Sequence, residues 1–200
     1  MPVVIDEQYL PARLTAPPMT DAEFEAFCSE HPDVFIEVTA EGEILIMPPN
    51  YWRTGIQNAY IAKQLAIWAD SNDTGKPIDS SGGFRLPNGA RRSPDASWIS
   101  RQRIAAVQSK GKGRSWGLCP EFVIELRSET DRLPVLRRKM REWVDNGALL
   151  AWLIDPERRT VEVYRPGRDA EILTGVESVS GTGPVDGFIL DLKPVWEPLS

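Results

Sequence analysis

The run Phe122-Val123-Ile124-Glu125-Leu126 constrains the fold more than any other feature of this sequence. Four of its five residues are apolar and two are β-branched, which predicts a buried core strand. Glu125 is the exception, because a buried carboxylate is costly unless it is paired, hydrogen-bonded or bound to a cation. A salt bridge to a neighbouring arginine or a place on an edge strand would also accommodate this side chain.

Helix and strand signals alternate along the rest of the chain. Thr20-Asp21-Ala22-Glu23 is a capping box that predicts a helix over 20–30, and the segments 34–38 and 43–47 predict a β-hairpin. Further helices are predicted over 52–70 and 132–146, with strands near 84–86, 96–99, 149–154, 160–164, 170–173 and 188–192. This order predicts an α/β (α+β) fold with a mixed β-sheet flanked by helices. The length predicts a single domain over 1–200, with 1–19 as an N-terminal arm.

The charge of the chain is unevenly distributed. The net charge is −6, which argues against a generally basic protein that coats nucleic acid. Residues 1–50 carry one basic and ten acidic side chains, whereas residues 51–145 carry 17 basic and ten acidic ones. The basic middle segment indicates either chance clustering on solvated faces or a surface that meets a polyanion.

Several classes of protein are excluded or disfavoured. No apolar run approaches the roughly 20 residues of a membrane helix, and the N-terminus lacks the features of a secretory signal. The two cysteines and the single histidine, His31, cannot form a zinc site or a multi-histidine site. We therefore expect a cytoplasmic protein without a membrane segment.

Asp95 and Glu125 are the acids that need an explanation. Asp95 lies between Pro94 and the apolar strand at 96–99, and Glu125 lies inside its own strand. Mg²⁺ prefers hard oxygen ligands and keeps several waters, so two or three carboxylates can bind it, with Mn²⁺ as a substitute. Such a site suits phosphodiester hydrolysis.

Two basic residues could stabilise the charge that develops on a phosphate. Arg127 lies two residues after Glu125, on the same face of the predicted strand. Lys139 lies at the edge of the apolar arc of the helix over 132–146, from which its ammonium could point around the rim of the sheet. An ordinary rim lysine is the alternative interpretation of Lys139.

The acids and their surroundings resemble a known family. Pro94-Asp95 followed by Glu125-Leu126-Arg127 resembles the P-D…(D/E)-x-K motif of restriction-endonuclease-like nucleases. The stretches 37–49, 82–99, 122–128, 139–148 and 152–167 resemble, in order, the Uma2 family (DUF820) of bacterial restriction endonucleases. The resemblance implies a restriction-endonuclease-like core with carboxylates on adjacent strands and Mg²⁺-dependent cleavage of DNA.

The same resemblance implies roles for single residues. Asp95 and Glu125 match the metal-binding acids of the motif, whereas Arg127 departs from its lysine, a role that passes to Lys139. Glu37 matches an acid of the first strand and is either a third ligand, a group that orients water, or an exposed hairpin residue. Gln57 could face the site from its helix.

These observations predict an Mg²⁺-dependent DNA endonuclease that forms a homodimer, because two active sites are needed to cut two strands at once. Basic residues near the motif would bind backbone phosphates: Arg91, Arg92, Lys110, Lys112 and Arg114. The alternative is a catalytically inactive module that keeps the nuclease fold and binds nucleic acid or protein.

Overall fold

The computed structural model describes residues 10–15, 17, 19–108 and 115–200. Five helices occur in these residues: α1 (Asp21–Glu30), α2 (Trp52–Asn72), α3 (Arg101–Gln108), α4 (Leu133–Asp145) and α5 (Lys193–Trp196). The capping box predicted at the start of α1 is present, because the Thr20 hydroxyl accepts from the Glu23 amide while the Glu23 carboxylate accepts from the Thr20 amide. No described helix is long and apolar enough to cross a membrane.

The first sheet has six strands in the order β1-β3-β2-β6-β5-β8. Its strands are β1 (Ala12–Thr15), β2 (Phe35–Val38), β3 (Glu43–Met47), β5 (Gly83–Arg85), β6 (Arg91–Arg92) and β8 (Ser115–Trp116). The predicted hairpin forms β2 and β3, and its turn uses Gly42 at a φ of 87°, which glycine adopts at little cost. Glu37 therefore lies on an inner strand of this sheet.

The second sheet is mixed and has the order β12-β11-β10-β9-β7-β4. Its strands are β4 (Gly75–Asp79), β7 (Ala96–Ser100), β9 (Phe122–Leu126), β10 (Leu150–Asp155), β11 (Thr160–Tyr164) and β12 (Glu171–Thr174). Strands β9 and β10 are parallel, whereas β7 and β9 are antiparallel. The strand that contains Glu125 is thus an inner strand, and the edge-strand interpretation of this residue is wrong.

Helices cover both faces of the second sheet. Ile61 and Leu65 of α2 pack against one face, where the rings of Phe122 and Trp152 meet edge to face with centroids 4.8 Å apart. Met140 and Trp143 of α4 belong to the core on the opposite face. The apolar arc predicted for this helix is therefore the surface that it buries. The result is the predicted mixed sheet between helices.

The structure contains strands that the sequence did not predict. They are β1, β4, β6, β8 and β13 (Ser178–Ser180), the last paired with β14 (Ile189–Asp191). Strand β4 was hidden among turn-forming residues, and it tolerates Pro77 because it lies at the edge of its sheet. These strands are short, and their pairing partners rather than their own residue patterns determine them.

Two glycines give a matched test of this packing. A Cβ at Gly75 would lie 2.2 Å from the Ile99 carbonyl oxygen and 2.4 Å from the Trp98 ring, whereas a Cβ at Gly55 on α2 would meet nothing within 4 Å. We expect Gly75→Ala to lower the free energy of unfolding by about 1–3 kcal/mol. Gly55→Ala should raise it by about 1 kcal/mol, because alanine favours a helix interior. Urea unfolding of both variants checks this, and equal effects would contradict the close approach of β4 and β7.

Candidate active site

Three charged side chains from three elements meet at the ammonium of Lys139. This nitrogen lies 2.8 Å from Glu37 Oε1 and 2.9 Å from Glu125 Oε1. Helix α4 thus brings together an acid of the first sheet and an acid of the second. All three side chains are largely buried, with 14% of the Lys139 side chain exposed.

Glu125 contacts both Lys139 and Trp143, and its buried position strongly raises its pKa. Its Oε1 accepts a hydrogen bond from the Trp143 indole nitrogen at 2.8 Å, and its Oε2 accepts from Lys139 at 3.0 Å. Burial raises the pKa of Glu125 to about 8, with repulsion from Asp95 and Glu37 adding to the effect and Lys139 opposing it. The site therefore disfavours the charged form of Glu125.

Asp95 lies immediately before β7, opposite Glu125 when the register of Ala96 with Ile124 is continued by one residue. Its Oδ1 accepts from Asn58 Nδ2 on α2 and its Oδ2 accepts from the Leu126 amide, both at 2.8 Å. Burial raises the pKa of Asp95, although these hydrogen bonds oppose the shift. Unlike Glu125, Asp95 forms no direct ion pair with a described residue.

Glu37 is buried rather than exposed, with 3% of its surface accessible. Besides Lys139, its carboxylate binds Arg92 Nη1 at 3.0 Å and accepts from the Ser93 amide at 3.0 Å. Burial disfavours its charge, but Lys139 and Arg92 outweigh this effect and hold the pKa of Glu37 below its ordinary value. The carboxylate is thus ionised and fully engaged by protein donors.

The cluster borders an open cavity of about 940 Å³. Asp95, Glu125 and Lys139 all line it, so the residues implied by the resemblance converge on one cleft. Much of the remaining wall comes from β2, β3, the segment that follows β3, and α4. A ligand in this cavity can therefore reach both carboxylates and the ammonium.

Asp95 and Glu125 fit a divalent cation in charge and chemistry. Both offer hard oxygen atoms, and their mutual repulsion, visible in the raised pKa of Glu125, is what a bound cation would relieve. Among the residues that the structure describes, no group of three or more histidine, cysteine, aspartate or glutamate side chains is placed to hold a metal ion.

Arg127 is not brought to the cluster. Its guanidinium binds Asp155 Oδ2 at 2.8 Å and Glu157 Oε2 at 3.2 Å. It lies just beyond the end of β9, so the alternation of side chains along the strand does not determine where it points. The positive charge beside Glu125 is supplied by Lys139.

The arginines expected to bind phosphates are engaged inside the protein. Arg91 binds Asp21 Oδ1 at 2.6 Å and lies over the ring of Phe24, with 4.6 Å between the guanidinium carbon and the ring centroid. Arg92 joins Glu37 to Glu142 Oε2, the latter at 2.6 Å, and is 8% exposed. Lys110, Lys112 and Arg114 lie outside the described residues.

Two residues at the site were not identified as functional from the sequence. Trp143 was placed in the apolar arc of its helix, but the arc does not show that its indole nitrogen faces Glu125. Asn58 binds Asp95, whereas its neighbour Gln57, the residue expected to face the site, donates to the Val195 carbonyl oxygen at 2.7 Å. Adjacent side chains on a helix point about 100° apart. The sequence therefore identified the helix correctly, but not which of the two neighbouring residues faces the site.

A solved structure shares the fold of this chain. A crystal structure described as a "putative nuclease belonging to DUF820" from Anabaena variabilis ATCC 29413 superposes with a TM-score of 0.72. It is 17% identical and covers 90% of this chain and 98% of its own. A cryo-electron microscopy structure of a DrdV–DNA complex is more distant, with a TM-score of 0.38, 14% identity and coverage of 58% of this chain and 10% of that one. A search of curated protein sequences returns no match.

The sequence model of the Uma2 family, described as "Putative restriction endonuclease", matches residues 21–193. This match includes Glu37, Asp95, Glu125 and Lys139 together with the strands and helices that carry them. The chain therefore belongs to the Uma2 family.

Proposed function

We propose that this protein is an Mg²⁺-dependent DNA endonuclease that hydrolyses phosphodiester bonds in the cavity beside α4. The observation that carries the proposal is the convergence of Asp95, Glu125 and Lys139 on that cavity. Membership of the Uma2 family supports the reaction class. A cytoplasmic location and a homodimer with two active sites stay predictions that accompany this proposal.

Asp95 and Glu125 would hold the metal ion, which when bound would polarise the phosphate and lower the pKa of a bound water. The Asn58 amide and the Leu126 amide hold the Asp95 carboxylate at the cavity, and Trp143 fixes one oxygen of Glu125. Because these donors come from packed elements, the two acids are oriented before any ligand arrives.

Lys139 would stabilise the negative charge that develops on the phosphate. Burial opposes the charge of its ammonium, but Glu125 and Glu37 outweigh burial and raise the pKa of Lys139 above its ordinary value. The group therefore stays protonated and acts as a fixed cation rather than as a base. Glu37, whose oxygens are engaged by protein donors, would position Lys139 rather than bind metal.

One observation favours the alternative, a nuclease-fold module without catalysis. Lys139 already lies within 3.0 Å of both oxygens of Glu125, so the cluster neutralises part of its own charge. In that case Lys139 would replace the metal ion, and the cavity would serve for binding alone.

Cleavage of plasmid DNA with Mg²⁺ or Mn²⁺ tests the proposal directly. We expect Asp95→Asn and Glu125→Gln each to lower the cleavage rate at least about 100-fold, because each removes a charged ligand from the reacting centre. Asp145→Asn, which alters an exposed acid of the same cavity, should keep the wild-type rate. Cleavage without a divalent ion would refute the Mg²⁺ dependence, and either full activity in both site variants or no cleavage by the wild type would refute a nuclease that acts at this site.

Titration of Mn²⁺ by calorimetry separates the nuclease from the inactive module. We expect measurable affinity in the wild type, loss in Asp95→Asn and Glu125→Gln, and little change in Glu37→Gln. Lys139→Met should bind Mn²⁺ at least as tightly as the wild type, because an ammonium no longer competes for Glu125. An absence of Mn²⁺ affinity in both the wild type and Lys139→Met would support the inactive module.

The raised pKa of Glu125 also predicts how stability depends on pH. Between its ordinary pKa of 4.5 and about 8, the folded protein holds a proton that the unfolded chain has released. The contribution of Glu125 to the free energy of unfolding therefore falls as pH rises, by up to about 1.4 kcal/mol per pH unit. Glu125→Gln should remove this part of the slope in urea unfolding between pH 6 and pH 8.

The matched control is Glu129→Gln, which makes the same chemical change at an exposed loop position. This variant should keep the pH dependence of the wild type. An identical slope in Glu125→Gln and the wild type would show that Glu125 is ionised throughout this range.

A further inference from the structure

Exposed aromatic side chains lie where the cavity opens. Phe35 and Tyr51 both line the cavity, and they are 39% and 59% exposed. Trp52, the first residue of α2, is not among the residues that line the cavity, but it follows Tyr51 directly in the chain and is 64% exposed. Large aromatic rings that remain in solvent beside a site rich in charged groups are placed for contact with a ligand rather than for the core.

The reactive groups lie below the surface of the protein. Glu125 is 4% exposed, and the ammonium of Lys139 is held between Glu125 and Glu37. A phosphate must therefore enter the cavity of about 940 Å³ to reach them. The backbone of a regular duplex is held on a stiff helix, and bending that helix to deliver a phosphate into the cavity costs free energy. A single strand has no such constraint.

The cavity also carries uncommitted positive charge. Arg138 and Arg141 of α4 line it, are accessible to solvent and form no ion pair with another described residue. Acids line the cavity as well: Glu43 of β3 is paired with Arg13 at 3.3 Å, whereas the exposed Glu41 and Asp145 form no ion pair with another described residue. Phosphates therefore have partners along α4, while the aromatic side chains come from β2 and the start of α2.

We infer that the cavity accepts an unpaired stretch of nucleic acid, with one base stacked on Tyr51 in the cavity, the next on Trp52 beside it, and the backbone bound along α4 by Arg138 and Arg141. The inference rests on the proposed nuclease function and names the substrate class of that site. Stacking needs an exposed base face, which a duplex hides within its own stack and a single strand offers. A flap, a bubble or a single-stranded end meets this requirement.

Binding measured without cleavage tests this inference. In the Asp95→Asn background and in EDTA, fluorescence anisotropy compares a labelled oligothymidylate with a blunt DNA duplex of equal length. We expect tighter binding of the single strand. Tyr51→Ala and Trp52→Ala should each weaken it about 5- to 150-fold, the range expected for the loss of one stacked base, and leave duplex binding unchanged.

Three further variants sharpen the result. Trp52→Phe keeps a stacking ring and should retain most of the affinity. Ile67→Ala, at a position of α2 that is 58% exposed, should leave binding unchanged. The double variant Arg138→Ala/Arg141→Ala should reduce the slope of log affinity against log salt by about 0.7 for each lost phosphate contact.

Equal or tighter binding of the duplex would overturn the inference, as would unchanged single-strand affinity in both aromatic variants. A change of sedimentation in Trp52→Ala, without a change in affinity, would instead identify this face as an interface between copies of the chain. Because no cleavage is measured, single-strand binding that depends on Trp52 would stand even if the plasmid assay refuted the nuclease.

Discussion

The ammonium of Lys139 links the parts of the structure on which the site depends. It binds Glu37 of the first sheet and Glu125 of the second, and it belongs to the helix that covers the second sheet. Buried ion pairs contribute little net stability, because desolvation offsets most of their attraction, but the loss of one partner leaves a costly uncompensated charge. The contact therefore acts through specificity. It fixes how β2, β9 and α4 meet, and with them the shape of the cavity.

The neighbours of Glu37, Asp95 and Glu125 give these three acids different roles. Glu37 is satisfied by Lys139, Arg92 and the Ser93 amide, so its charge serves to hold a lysine. Asp95 receives only neutral hydrogen bonds, and burial raises its pKa. Glu125 lies between these cases, because it shares Lys139 and is repelled by Asp95. Three acids of similar chemistry thus differ in their contacts and in their pKa values because their neighbours differ.

Arg91 and Arg92 show the limit of arguments from local charge. Both belong to the basic middle of the chain, and a charge count cannot distinguish an arginine that meets solvent from one that meets an acid distant in sequence. In the structure, Arg91 binds Asp21 and Arg92 binds Glu37 and Glu142. Part of the positive charge of the middle segment therefore neutralises acids of the protein itself. Among the described residues, the basic side chains that line the cavity without an ion pair are Arg138 and Arg141 on α4.

The sequence by itself determined the long helices, the hairpin, the strand that contains Glu125 and the acids that form the site, because periodicity, capping and a carboxylate inside an apolar run are local signals. It did not determine β1 or β4, whose pairing with distant strands outweighs their weak local preferences. The sequence offered both Lys139 and Arg127 as the cation beside Glu125, with the family resemblance favouring Lys139, and the tertiary structure shows that Lys139 makes the contact. Only the tertiary structure decided that Asn58 rather than Gln57 faces Asp95. The rotation of a helix about its axis and the direction of a side chain beyond the end of a strand depend on packing between elements. A short stretch of sequence does not show how it packs against distant elements.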